Sequence, residues 1–267
     1  MPELAKLVSD ATAAVTSLNC LANHFGEEGL AILLKAIEGT SVRSLCGLTE
    51  GQTTADFSRQ NLGPIDCKIM SAEFQFCGFI AVLASLTLSG NKITGTKYDR
   101  EGRKWIYDPD LSGFSPLCQV LGKLNEVNLS DCGLGPASMP ELAKVFSDAG
   151  AVLTDVNMSG NPLTGKMYRG KPEDGKDISG VSALFPVMTK VIKLNVSECG
   201  LGPTSMPELA KLVRDATAVI NSLALGSNPI GDEAMIQLLD VLKDVSLTSF
   251  DISKTKCGVS TATKLAE

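Results

Sequence analysis

The sequence predicts an α/β right-handed solenoid, with parallel β-strands on a concave face and helices on a convex face. Three observations predict it. The phrase VNLSDCGLGPASMPELAK, Val127 to Lys144, returns as LNVSECGLGPTSMPELAK from Leu194 to Lys211, and the chain opens on its back half, MPELAKLVSDATA, Met1 to Ala13. A phrase returning at intervals marks a repeat architecture. Within each copy a period-two stretch is followed by a helical one. Finally, 44% of residues are apolar but only 5% aromatic, which suits a core of Leu, Val, Ile and Ala layers.

Each part of the unit has a local cause. Val127, Leu129 and, beyond Cys132, Leu134 alternate with Asn128 and Ser130, the pattern of a short strand with one buried face. Gly133-Leu-Gly-Pro136 supplies a turn. Ser138-Met-Pro-Glu141 has capping-box spacing with proline in the first turn, and Ser205 to Glu208 repeats it. Leu142, Val145 and Phe146 follow at helical spacing. No single unit can bury its apolar side alone, so the units must stack.

The frame L-x-x-L-x-L-x-x-(N/C)-x-L recurs six times in register. It runs through Val15, Leu18, Cys20, Asn23, Phe25; Leu83, Leu86, Leu88, Asn91, Ile93; and Leu124, Val127, Leu129, Cys132, Leu134. It continues through Leu153, Val156, Met158, Asn161, Leu163; Val191, Leu194, Val196, Cys199, Leu201; and Ile220, Leu223, Leu225, Asn228, Ile230. This resembles the leucine-rich repeat, and the helix after each strand with Cys allowed at the Asn position is similar to the ribonuclease-inhibitor-like subtype found in NOD-like receptors. Weaker copies carry Ala55, Phe57, Gln60, Leu62 and Leu247, Phe250, Ile252, Thr255, Cys257. Gln60 and Thr255 depart from Asn/Cys, which puts the family's ladder through this column in question at those two rungs.

Taken in order, residues 1–267 are expected to form one solenoid domain of about seven to nine repeats. Residues 1–14 match the helix of a later unit whose strand is missing here, and no polar cap is visible at either end. Either Met1 begins an uncapped protein or the chain is a window on a longer one; exposed terminal units would favour end-to-end self-association. Leu30, Leu33, Leu34 and Ile37 give the first full unit its buried helical stripe. From 41 to 58 the pattern stumbles: Val42, Leu45 and Gly47 suit a strand, yet Ala55 to Phe57 begins the next with no room for a helix between. Helix resumes near Ile65 to Phe76, and Leu83 opens a regular unit.

Two inserts interrupt the regular part, GTKYDREGRKWIYDPD at 95–110 and GKMYRGKPEDGKD at 165–177. The rungs 91 to 132 and 161 to 199 lie 41 and 38 apart, against 29 for 132 to 161 and 199 to 228. Both inserts leave the frame at the same point, so both emerge on one edge, where repeat proteins often bind. They hold all three tyrosines and the one tryptophan, Tyr98, Tyr107, Tyr168 and Trp105, with Arg100, Arg103 and Arg169. Trp, Tyr and Arg concentrate binding energy at interfaces; the alternative is that each insert covers its own solenoid edge. Two repeat steps put the roots about 10 Å apart by strand spacing, close enough for one joint aromatic patch.

The second candidate surface is the concave sheet. Its columns run Ser85, Glu126, Asp155, Lys193, Ser222, Ser249; Thr87, Asn128, Asn157, Asn195, Ala224, Asp251; and Ser89, Ser130, Ser159, Ser197, Gly226, Ser253. It is small and polar, without an aromatic anchor; Glu126, Asp155 and Lys193 are its charged candidates.

The remaining signals mostly exclude. With 24 Lys plus Arg against 30 Asp plus Glu and no basic run, nothing suggests nucleic acid. No apolar run spans a bilayer and no signal-peptide pattern opens the chain. Eight cysteines, at 20, 46, 67, 77, 118, 132, 199 and 257, include no C-x-x-C, and they fit structural free thiols in a reducing compartment, the cytoplasm. Gly160 to Lys166 opens like a P-loop, but Met167 stands where Ser or Thr must hold magnesium. His24 is the one histidine, beside Glu27 and Glu28, and no nucleophile motif accompanies it. No cofactor, metal or catalytic residue is expected, and the chain is not read as an enzyme. The expectation is a protein-binding scaffold presenting the two inserts and, secondarily, the sheet. Resemblance alone adds two alternatives: a GTPase activator similar to the Ran GTPase-activating proteins, with Arg100 or Arg103 exposed, and the ligand-sensing array of a larger NOD-like receptor.

Overall fold

The structure is a computed structural model that describes residues 15–76, 82–168, 171–172, 175, 177–217 and 220–266, with backbone alone for 76, 167–168 and 171–172. The repeat's L-x-L core produces strands only three residues long, each with its middle residue inward. These are β1 (Thr54–Asp56), β2 (Ser85–Thr87), β5 (Glu126–Asn128), β6 (Asp155–Asn157), β9 (Lys193–Asn195), β10 (Ser222–Ala224) and β11 (Ser249–Asp251). They form a seven-stranded parallel sheet in that order. Ala55, Leu86, Val127, Val156, Leu194, Leu223 and Phe250 align in register as its inward row. Between lie two hairpins, β3 (Lys97–Asp99) with β4 (Lys104–Ile106), and β7 (Met167–Tyr168) with β8 (Lys171–Pro172).

Helices back the sheet and pack against one another in series: α1 (Gly26–Ile37), α2 (Pro64–Phe76), α3 (Phe114–Leu121), α4 (Met139–Ser147), α5 (Ser179–Leu184), α6 (Met206–Asp215), α7 (Asp232–Leu242) and α8 (Val259–Leu265). Helix α4 buries Met139, Leu142, Val145 and Phe146, and α6 buries the matching Met206, Leu209, Leu212 and Val213. Each large apolar side chain so buried contributes about 1.5–3 kcal/mol, which holds neighbouring units together.

Between strand and helix runs a column of polar rungs. Asn91 Nδ2 donates to the carbonyls of Phe57 and Leu88 while its Oδ1 accepts the N–H groups of Gln60 and Leu62. Asn228 does the same with Val196, Leu225, Cys199 and Leu201. Cys132 and Cys199 alternate with the asparagines, each thiol donating to a carbonyl of the preceding unit, Leu88 or Met158. Burial pushes both thiols up to about 12, so they stand as neutral donors. At Gln60 the side chain is exposed and the rung is lost. Thr255 keeps part of one, its hydroxyl donating to Ile252 O.

The irregular stretch has its own support. Backbone at 16–20 pairs with 43–47, and the sheet then restarts at β1 with no helix between. The N–H groups of Leu45 and Cys46 donate instead to the Glu73 carboxylate on α2, at 2.6 and 2.7 Å, and Ser44 Oγ donates to it at 2.9 Å. Glu73 is buried. Its side chain thus replaces a missing strand as hydrogen-bond acceptor, satisfying backbone donors that would otherwise be buried unpaired.

The capping boxes do not form. Ser138 and Ser205 end short 3₁₀ turns, Pro136–Ser138 and Pro203–Ser205, and their φ/ψ are already helical. Ser138 Oγ turns back to donate to Gly135 O, and Glu141 and Glu208 pair with Lys144 and Lys211. Proline just inside the helix start tightens the entry into a 3₁₀ turn, removing the extended N-cap conformation that a capping box needs.

Candidate interaction site

The first insert leaves the frame at Gly95, where φ is +72° and glycine carries the turn at little cost. It rises as a β-hairpin, with Tyr98 directly opposite Trp105. The strands join through a four-residue turn, Arg100 to Arg103, and its Gly102 is a turn signal that the repeat frame alone had hidden. The two rings meet edge to face with centroids 5.5 Å apart, which adds about 0.5–1.5 kcal/mol beyond their burial. Tyr98 is 47% exposed and Trp105 half-buried. Arg100 and Arg103 lie exposed at the tip.

The stem of this hairpin is fastened. After Tyr107, which is half-buried, comes Asp108, 8% exposed. Its carboxylate accepts the N–H of Gly135 at 3.0 and 3.1 Å and that of Ser138 at 2.9 Å, capping the turn of the next unit. Its own N–H donates to Thr96 Oγ1, and Asp110 N–H donates to Thr94 O. Burial raises the Asp108 carboxyl above its ordinary value, although the hydrogen bonds from Gly135, Thr94 and Ser138 pull the other way. A capping residue 30 positions before its helix has no local sequence signal.

The second insert also forms a hairpin, smaller, with Tyr168 opposite Lys171. Arg169 lies outside the described residues. The two hairpins are separate two-stranded sheets, not one joined element.

On the concave face the observed register reproduces the columns read from the frame. Lys193 Nζ donates to Asp155 Oδ2 at 2.6 Å, with Glu126 one strand beyond, and the hydrogen bond and charge of Asp155 raise the lysine. These three line a shallow hollow of about 290 Å³ with Asn157, Asn195 and Ala224. Asn128, Asn157 and Asn195 each turn Oδ1 to accept the N–H two residues on, at 3.0 Å. That local bond fixes the asparagine column and gives it a structural role. Among the described residues no cluster of three or more His, Cys, Asp or Glu is placed to hold a metal ion, and His24 is exposed.

In-register short strands, alternating Asn and Cys rungs and helices on one side define a leucine-rich repeat solenoid. No family model matches the chain. Over 141 residues, 52% of the chain, it is 26% identical to NLR family member X1 of Rattus norvegicus, of which that stretch is 13%. Two solved structures superpose loosely: an internalin from Listeria monocytogenes (TM-score 0.47, 17% identity, 94% of this chain and 58% of that one) and TLR13 in its complex with ssRNA13 (TM-score 0.44, 16% identity, 98% and 32%).

Proposed function

We propose that this chain is a protein-binding scaffold whose main anchor is the hairpin 97–106, with the concave hollow as a secondary surface. The observation that carries the reading is the Tyr98–Trp105 pair, held out on a hairpin whose stem Asp108 locks to the solenoid. A fixed aromatic pair beside arginines offers contact area with little ordering cost on binding. We place the protein in the cytoplasm: seven described cysteines are free, and no described helix is long and apolar enough to cross a membrane. The similarity to NLR family member X1 supports a second form of the reading, in which these repeats serve as the sensing array of a larger receptor.

Affinity capture from cytosolic extract, followed by titration of the captured partner, tests the proposal. Tyr98→Ala with Trp105→Ala is expected to weaken binding by at least about 2 kcal/mol, near thirtyfold. Binding unchanged by that pair but lost with Glu126, Asp155 and Lys193 replaced would transfer the function to the sheet.

A further inference from the structure

We infer that the partner segment taken by the hairpin is an acidic, extended stretch of protein; this rests on the hairpin being the binding element. Within ten residues the hairpin carries Lys97, Arg100, Arg103 and Lys104 against Asp99 and Glu101, a net +2 on a chain whose total is −6. All four cations are exposed, and among the described residues none is in an ion pair. Five cations elsewhere, Lys68, Lys144, Lys193, Lys211 and Lys264, face a carboxylate, whereas the hairpin gathers four unpaired ones within ten residues. Asp99 is partly spent within the turn, accepting the N–H of Glu101. With Asp99 opposite Lys104, cations still outnumber carboxylates by two on the hairpin, and an anionic partner gains there without breaking an ion pair.

The backbone adds a second requirement. Among the described residues strands β3 and β4 pair only with each other, so the outer edges of this hairpin present main-chain donors and acceptors to an added strand. A segment that satisfies both is extended, carries Asp or Glu at alternate positions and lays apolar side chains against Tyr98. Single-stranded nucleic acid fits less well. Trp105 is half-buried and meets Tyr98 edge to face, so the pair offers one open ring and no run of stacked platforms for successive bases.

Panning a displayed library of random dodecapeptides on the protein, with soluble Arg100→Glu/Arg103→Glu variant as competitor, tests this. Enriched peptides are expected to be acidic. Synthetic copies should lose about tenfold in affinity to the charge-reversed variant, and again when salt rises from about 50 to about 500 mM. Both substitutions are at exposed positions, and unchanged thermal unfolding confirms an intact fold. Enrichment of neutral or basic peptides, equal binding to the variant, or tighter binding of an oligothymidylate of matched charge would overturn the inference. Loss of binding with Tyr98→Ala/Trp105→Ala but not with charge reversal sinks this inference alone, whereas no loss with either sinks the hairpin reading beneath it.

Discussion

The two inserts leave the repeat at equivalent points and return through the same device, yet their stems are built differently. Asp110 and Asp177 each accept the N–H and hydroxyl of the serine two residues on, Ser112 or Ser179, so the two returns superpose in sequence. Two residues earlier stands Asp108 in one and Gly175 in the other. Asp108 reaches across to cap Gly135 and Ser138. Gly175 lies so close to Thr164 that a Cβ there would sit 1.9 Å from the Thr164 carbonyl oxygen, and its N–H donates to Thr164 Oγ1. Thr164 in turn donates to Gly200 O. One stem is pinned by a carboxylate acting on the next unit; the other is pinned by backbone proximity, with a hydroxyl as the link.

The largest expected effect breaks the first arrangement. Asp108→Ala leaves the N–H groups of Gly135 and Ser138 buried without their acceptor, a loss of about 3 kcal/mol at the usual cost of unmet buried donors. Urea denaturation measures it, and a loss below about 1 kcal/mol would mean that the carboxylate is not the fastening. Gly175→Ala tests the other stem by steric means. Thr164 must shift to admit the methyl, so about 2 kcal/mol is expected, and a neutral result would show that the close approach is absent in solution.

This difference marks where the sequence stops being legible. The strand columns, the inward rows and the departure of Gln60 follow from the repeat frame, because period and register are local properties that every unit restates. Tyr98 and Trp105 were recognisable as interface residues by type, and Gly102 between them marks a turn, but no alternation of apolar residues signals that the two pair across a hairpin. Asp108, Glu73 and Asp232 had no such signal. Asp232 accepts the N–H groups of Gly258 and Thr261, Glu73 those of Leu45 and Cys46, all more than twenty residues away. Each is a lone carboxylate serving a distant backbone, and only the stacking of units brings donor and acceptor together. The capping boxes misled for the converse reason: Ser138 and Glu141 had the right spacing, but the preceding 3₁₀ turn and Asp108 had already met the donors.

A smaller effect sharpens the comparison through pH. Since burial raises the Asp108 carboxyl in the folded state, the folded chain holds that proton more tightly than the unfolded one. The stability this contributes is complete below the unfolded value of about 4 and is lost as pH rises through the raised folded value. Asp108→Asn should flatten that segment of the stability–pH curve, while Gly175→Ala should leave its shape unchanged. A slope that survives Asp108→Asn would assign the titration to another group.

The smallest effect separates the two stems by sign. Ser138 and Ser205 are equivalent, both fully buried, and sit in the units that Asp108 and Gly175 respectively face. Ser138 Oγ donates to Gly135 O at 2.8 Å, whereas Ser205 Oγ has no partner among the described residues. Removing a satisfied hydroxyl costs its net bond, and removing an orphan one relieves a desolvation penalty. Ser138→Ala is therefore expected to lose about 1 kcal/mol and Ser205→Ala to gain about 0.5 kcal/mol, shifts that thermal unfolding resolves when the variants are compared side by side. If Ser205→Ala instead costs as much as Ser138→Ala, its hydroxyl is bonded in solution and the two units are equally satisfied. The asymmetry would then be confined to Asp108 itself, and its capping of Gly135 and Ser138 would be an addition to a turn already complete without it.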